Sequence, residues 1–228
     1  MKIVFTPDWF RGEDVLIDGF SFLVLLTFFI FCFKYYKMSK KKNILFLGIG
    51  FASIALAQLA VVITKFPIYY DTSFTQQIGH MMVTYEVVKS VDILYQVGFF
   101  FQRAFTLLGF YLIYKLQKKS VSEDFFLSIY FILILSLISA QFSYLFHLTI
   151  LIFLCLIISD YAKIYQKSRA ENTRTLIFAF SLLALSELIF IFSKLSVMFV
   201  TANVLELISY TILLLLIIKI LKAKPKTL

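Results

Sequence analysis

The sequence predicts an all-α membrane protein, a single bundle of seven transmembrane helices formed by residues 1–228. Three observations predict it. The chain is 61% hydrophobic and only 15% charged, whereas soluble domains are roughly 45–50% apolar and about 25% charged. Seven apolar runs approach the roughly 20 residues that cross a hydrocarbon core. Basic residues cluster beyond every second end of these runs, as they do in the cytoplasmic loops of membrane proteins.

Charged or turn-forming residues bound each of the seven runs. The fourth is the shortest, because its 16 residues would cover only about 24 Å as a helix. Ser120 and Glu123 precede it with the spacing of a capping box, so we expect a helix to begin there and to include Glu123 and Asp124. The predicted spans are Val15–Phe33, Ile44–Thr64, Val91–Tyr114, Phe125–Ala140, Tyr144–Ala162, Thr175–Ser193 and Val204–Ile218.

The positions of the basic residues predict the orientation. Of 22 Lys and Arg, 16 fall after spans 1, 3, 5 and 7, and such clusters stay on the cytoplasmic side. We therefore predict an external N-terminus, a cytoplasmic C-terminus and a multi-pass protein of the cell membrane. The net charge of +9 is then a consequence of topology and does not indicate nucleic-acid binding. The clusters are Lys34, Lys37 and Lys40–Lys42; Lys115, Lys118 and Lys119; Lys163, Lys167, Arg169 and Arg174; Lys219, Lys222, Lys224 and Lys226.

The connection Pro67–Val88 is the one long external segment in this prediction. Asp71, Thr72 and Ser73 offer a helix N-cap, and apolar residues recur after them at near-helical spacing. We therefore predict a short external helix between spans 2 and 3, which lies along the membrane interface or rises from it into span 3.

Several ionisable residues fall inside the predicted spans, where a charge costs about 2.5–3.5 kcal/mol at a helix centre and marks a functional-site hypothesis. Counted from the cytoplasmic basic residues at about 1.5 Å per residue, they lie about 18–24 Å up, in the outer half of the membrane. Gln58 shares this level, and span 3 has a polar face that includes Asp92, Gln96 and Arg103. The residues at this level are Asp18, Gln58, Arg103, Glu187 and Glu206.

The sequence thus predicts a buried polar cluster centred on a pair between Arg103 and Glu187, with Glu206 and Asp18 nearby. One arginine cannot neutralise three carboxylates, so a protonated carboxyl group, a bound cation or water is expected there. Three interpretations stay open: a lock between helices, a ligand or signal site, and a proton or ion path.

No cofactor is predicted, and no set of a nucleophile with a base or of metal ligands is recognised, so a role other than catalysis is favoured. His80 and His147 are the two histidines, both on the predicted external side, and they are weak candidates for metal binding. Small residues recur on span 2 at Gly50, Ser53 and Thr64, a pattern that predicts close packing against another helix.

The stretch Asp14–Lys42 and the phrase Ser181-Leu-Leu-Ala-Leu-Ser-Glu-Leu-Ile-Phe190 resemble a group of uncharacterised archaeal multi-span membrane proteins. The resemblance implies a prokaryotic plasma membrane and carries no activity with it.

The function that the sequence favours is that of a receptor- or sensor-like membrane module. An external ligand or proton would change the polar cluster, and the lysine-rich cytoplasmic loops would report the change to a protein partner. A small-solute or proton-coupled transporter is the alternative, and a non-catalytic scaffold or assembly subunit is also open. The other expected partner is the lipid bilayer.

Overall fold

The computed structural model describes residues 6–40, 42–78, 81–115, 125–193 and 195–222, without the side chains of residues 8, 43, 67–92, 125, 221 and 222. These residues contain seven α-helices and no strand. A short 3-10 turn at Asp8–Phe10 precedes the first helix. The helices are α1 Glu13–Ser39, α2 Lys42–Ile78, α3 Met81–Lys115, α4 Phe125–Ile138, α5 Ser143–Ser168, α6 Glu171–Phe190 and α7 Ser196–Lys222.

Six of these helices are long and apolar enough to cross a membrane, which makes the chain a multi-pass membrane protein. The exception is α4, whose described part has 14 residues and covers about 21 Å. It coincides with the fourth predicted span, the shortest one.

The segment between spans 2 and 3 differs from the prediction. Its described residues are helical, but they continue α2 to Ile78 and begin α3 at Met81 rather than forming a helix of their own. Asp71–Ser73, predicted as an N-cap, lies inside α2. A separate interfacial helix is therefore not present among the described residues, because the backbone continues in helical conformation through these polar residues. The alternative of a helix that rises into span 3 agrees with α3, which begins at Met81. At 37 residues, α2 is about 55 Å long.

Six helices form a closed ring, in which each packs against two neighbours in the order α1, α2, α3, α5, α6, α7 and back to α1. Helix α4 lies outside the ring, against α3 and α5. Large apolar side chains cover its outer surface, among them Phe126, Phe131 and Leu137. Such a surface suits contact with lipid, where apolar groups face no water.

The contact between α2 and α3 depends on small residues. A Cβ atom added to Gly109 would lie 2.7 Å from the carbonyl oxygen of Gly50, and one added to Gly98 would collide with Thr64. Between these points the Ser53 hydroxyl donates a hydrogen bond of 2.8 Å to the carbonyl oxygen of Phe105. The predicted close packing of the small residues on span 2 is confirmed at these positions, and backbones can approach this closely only where side chains are small.

Basic residues gather at one end of the bundle, called here the basic end and defined by Lys40, Lys115, Arg169 and Lys219. Helices α1 and α5 both stop there at a basic residue with positive φ, Lys40 at 54° and Arg169 at 52°. Each donates its backbone N–H to the carbonyl four residues earlier, and its charge complements the negative end of the helix dipole. Lys219 at the end of α7 pairs at 2.8 Å with Glu171 at the start of α6.

The interior near the basic end is apolar. Leu25 and Phe28 of α1, Phe51 of α2, Leu154 of α5 and Leu213 of α7 belong to one buried cluster. The buried Ser209 hydroxyl in this region is satisfied by the carbonyl oxygen of Ala179 at 2.8 Å.

Candidate functional site

A cavity of about 180 Å³ lies inside the helix ring, and all six ring helices contribute to its wall. Its volume is far above the roughly 10–15 Å³ that one water molecule needs. Much of the lining is polar or charged, which is unusual inside a membrane bundle and points to function. The polar lining includes Asp18, Gln58, Lys65, Tyr95, Gln102, Arg103, Thr106, His147, Glu187, Asn203, Glu206 and Tyr210.

The cavity occupies the half of the bundle away from the basic end. Thr6, Ser143 and Ser193 line it where helices begin or end. Arg103 and Glu206 line it deeper, 12 residues before Lys115 and 13 residues before Lys219 of the basic end, or about 18 and 20 Å along the helix axes.

The helices that line the cavity run in two directions. Near this end α1, α5 and α7 begin, and so does the apolar part of α3, whereas α6 and the apolar part of α2 end there. Helices α3 and α5 are thus parallel neighbours. The chain between them, which includes α4, must return from the basic end to the cavity end.

A buried ion-pair cluster forms one side of the cavity. The ammonium group of Lys65 lies 2.6 Å from an oxygen of Asp18 and 2.9 Å from an oxygen of Asp14. The other oxygen of Asp14 accepts backbone N–H groups of Gly12 at 3.1 Å and Val15 at 3.0 Å. Thr6 donates a longer bond of 3.4 Å to Asp14. Two carboxylates therefore share one ammonium group, and the chain before α1 is tied to that cluster.

On the opposite side of the ring, Nδ1 of His147 lies 2.7 Å from Oε2 of Glu187. The imidazole ring also stacks on Phe190, with centroids 5.1 Å apart and an angle of 17°. The stacking fixes the ring plane, and the carboxylate fixes which nitrogen faces it. A carboxylate paired with an imidazole can exchange a proton with a ligand or with water.

A third polar group joins α2 to α7. The Gln58 amide donates a hydrogen bond of 3.0 Å to Oε1 of Glu206, and the buried Tyr210 hydroxyl interacts with both side chains. These partners of Glu206 are neutral. Among the ion pairs of the described residues none includes Glu206.

Arg103 is a cation of the cavity that, like Glu206, takes part in no ion pair of the described residues. It lies partly buried in the cavity wall, and no carboxylate within the described part of the chain reaches it. Tyr95, about two helical turns earlier on α3, interacts electrostatically with Arg103. A guanidinium group has five N–H donors that require acceptors, so the wall offers unused donors to whatever occupies the cavity.

The structure brings five predicted site residues to one cavity: Asp18, Gln58, Arg103, Glu187 and Glu206. Two other predicted site residues are not among the lining residues. Gln96 is exposed and does not line the cavity, and the side chain of Asp92 lies outside the described residues, as does His80.

The predicted pair between Arg103 and Glu187 does not form in the described structure. Glu187 contacts His147 instead. The physical reason is the order of the ring, in which α5 packs between α3 and α6. Residue counting places Arg103 and Glu187 at one level of the membrane but does not tell which helix lies between them.

Sequence reasoning missed Lys65 as a site residue because it directly follows the second predicted span. Lys65 lies seven residues after Gln58, so both share one face of α2, and that spacing could have revealed it. His147 was predicted only as a weak metal ligand. Within the described residues, no group of three His, Cys, Asp or Glu side chains could hold a metal ion.

Aromatic rings cover part of the cavity at the end where the chain begins. Phe10, buried in the turn before α1, packs edge-on against Phe199 with centroids 6.4 Å apart. Phe199 in turn packs edge-on against Phe190 at 5.9 Å, the ring that stacks on His147. This chain of rings connects the N-terminal segment to the lining of the cavity.

Comparison of the chain with protein-family models, with curated proteins and with solved structures finds no match. The function is therefore argued from the cavity and its residues.

Proposed function

We propose that the protein is a receptor- or sensor-like module of the cell membrane whose cavity binds a small polar ligand. The single observation that carries this proposal is the cavity itself. Charged side chains of several helices converge on a space of about 180 Å³. Ligand pockets combine a mostly apolar wall with a few convergent polar groups, and Phe99, Phe110 and Ile150 supply the apolar wall here.

The proposal includes seven membrane crossings, with the N-terminus outside and the C-terminus in the cytoplasm. Its support is that α3 and α5 are parallel, so the chain between them has to cross back, and α4 is the apolar helix available for the crossing. Basic residues at the opposite end of the ring agree with the preference of Lys and Arg for the cytoplasm. The cavity then opens toward the outside.

Single-cysteine labelling tests this topology. In a variant with Cys32→Ser and Cys155→Ser, we expect a membrane-impermeant maleimide to label Gln141→Cys in intact cells. Lys115→Cys should react only after the membrane is permeabilised. Labelling of both positions from the same side would contradict the crossing by α4.

The packing below the cavity favours a sensor over a transporter. The polar lining stops near Thr106 and Tyr210, and the buried apolar cluster of the ring fills the space between there and the basic end. A ligand that enters from outside would meet no continuous polar path through the ring. Its binding energy would instead act on the helices that hold it, and a change at their basic ends would reach a cytoplasmic or membrane partner.

A cavity-filling pair of variants tests ligand binding. Leu183 lines the cavity and is 4% exposed, whereas Leu185, two residues later on α6, is 44% exposed. We expect a panel of small polar solutes to contain compounds that raise the thermal unfolding temperature of the purified protein in nanodiscs. Leu183→Phe should abolish these shifts, and Leu185→Phe should preserve them. Shifts that survive Leu183→Phe, or a panel without any shift, would contradict the proposal.

A proton-coupled transporter is the second candidate, favoured by the contact of His147 with Glu187. Flux measurements in liposomes under an imposed pH gradient separate the two functions. A flux that disappears in Glu187→Gln would support transport over sensing. The matched control is Glu171→Gln at the basic end, where the carboxylate is 76% exposed.

A further inference from the structure

Of the five Asp, Glu, Lys and Arg side chains that line the cavity, three have a partner of opposite charge or an imidazole. Lys65 neutralises part of the charge of Asp14 and Asp18, and His147 faces Glu187. Two ionisable groups are left without an ion pair inside the described residues, the guanidinium group of Arg103 and the carboxyl group of Glu206. One is basic and one is acidic, and both line the same cavity.

These two residues also lie at the same depth, since Arg103 is 12 residues before Lys115 and Glu206 is 13 residues before Lys219, or about 18 and 20 Å from the basic end. They belong to α3 and α7, which face each other across the ring and are separated in its order by α5 and α6 on one side and by α1 and α2 on the other. In the described structure Gln58 and Tyr210, not Arg103, contact Glu206. The two charges therefore stand on different walls with the cavity between them.

We propose that the ligand is a small zwitterion of the amino-acid type, with its carboxylate at Arg103 and its ammonium group at Glu206. This inference rests on the proposed ligand-binding function and names the chemical class of the ligand. Arginine binds carboxylates through paired N–H donors, and a carboxylate with neutral partners is free to accept an ammonium ion. A buried charge without a counter-charge is costly, so a ligand that supplies both counter-charges binds more favourably than one that supplies either alone.

The volume of the cavity sets the size of such a ligand. A cavity of about 180 Å³ has room for several water molecules and therefore for a compound as small as alanine. The apolar side chains of Phe99 and Phe110 in the wall are then available to the hydrocarbon part of the ligand.

The test compares three compounds that differ only in charged groups: L-alanine, propionate, which lacks the amine, and ethylamine, which lacks the carboxylate. Titration calorimetry on the nanodisc-embedded protein should give alanine an affinity at least tenfold higher than either fragment. Arg103→Gln should lower the alanine affinity to that of ethylamine, and Glu206→Gln to that of propionate. Lys219→Gln at the basic end is the control and should leave all three affinities unchanged.

Each result decides between separate claims. Equal affinity for propionate and alanine would overturn the zwitterion in favour of an anion site, and equal affinity for ethylamine and alanine would overturn it in favour of a cation site. Both outcomes leave the proposed ligand-binding function standing. If alanine binds and neither variant changes its affinity, the placement of the two charges is wrong. If none of the three compounds binds while the broader panel yields another ligand, the zwitterion class alone is overturned.

Discussion

The ammonium nitrogen of Lys65 lies 2.6 Å from Oδ2 of Asp18, a buried contact between α2 and α1 at the cavity end of the bundle. Lys65 also reaches Asp14, which is fully buried. Charge-assisted hydrogen bonds of this length are strong, yet removing ions from water costs several kcal/mol for each ion. In this cluster the strong hydrogen bonds therefore oppose the cost of removing the ions from water. The loss of one charged member disturbs the balance of charge inside the membrane.

Lys65→Met should lower the free energy of unfolding by about 3–5 kcal/mol, because it removes the ammonium group that two buried carboxylates contact. Reversible unfolding in mixed micelles measures this change. Lys163→Met is the control, since Lys163 is 68% exposed and its pairing with Asp160 contributes at most about 1 kcal/mol.

Neutralising the partners should restore part of the loss. Lys65→Met combined with Asp14→Asn and Asp18→Asn removes every charge of the cluster, and replacing all partners costs less than orphaning one. A triple variant as unstable as Lys65→Met alone would show that packing of the lysine stem, rather than charge balance, dominates at this position.

The close approach of α2 and α3 predicts a second effect. Gly109→Ala would place a methyl group against Ile54 and 2.7 Å from the carbonyl oxygen of Gly50. Backbone atoms cannot move aside as a flexible side chain can, so we expect a loss of about 1–3 kcal/mol. Thermal unfolding followed by circular dichroism measures it.

Gly19→Ala is the matched control because an added Cβ there would meet nothing within 4 Å. It should be neutral or should stabilise the protein by up to about 1 kcal/mol, since alanine favours helix more than glycine does. A stable Gly109→Ala variant would mean that α2 and α3 do not pack this closely.

The helices and the small-residue packing of α2 could be predicted from the sequence because hydropathy and residue size act locally along the chain. The five residues at the cavity could be selected because a charge in an apolar run is costly wherever the helix packs. Their partners could not be derived in the same way. The contact of Glu187 with His147 depends on α5 lying between α3 and α6. The hydrophobic periodicity of a single helix does not show which helices will be its neighbours.

The length of α2 also could not be predicted from the sequence. Polar residues such as Asp71 and Ser73 favour helix ends when nothing else acts on them, which led to the prediction of a separate external helix. The structure continues α2 through them, and a helix that is already formed extends at lower cost than a new one begins. Lys65 illustrates the same limit, since a lysine next to an apolar run can end it or can turn into the bundle.

Double-mutant cycles should distinguish the contact that forms from the one that does not. For His147→Phe with Glu187→Gln we expect a coupling energy above about 0.5 kcal/mol, because residues in contact are energetically coupled. Phenylalanine keeps the stacking on Phe190 and removes the polar contact alone. For Arg103→Gln with Glu187→Gln, the effects on unfolding should add to within about 0.5 kcal/mol. Coupling between Arg103 and Glu187, with additive effects for His147 and Glu187, would instead support the pair between Arg103 and Glu187.

The aromatic cover leads to the last prediction. Phe10 is 4% exposed and packs on Phe199, whereas its neighbour Trp9 is 68% exposed. Phe10→Ala should cost about 3 kcal/mol through the lost burial and the cavity it leaves, and Trp9→Ala about 0.5 kcal/mol or less. If the rings also restrict entry, a water-soluble maleimide should label Ser143→Cys, at the rim of the cavity, faster with Phe10→Ala than with Trp9→Ala. Both rates are measured in a background of Cys32→Ser and Cys155→Ser. Equal labelling rates together with a large loss of stability would mean that Phe10 anchors the N-terminal segment without closing the cavity.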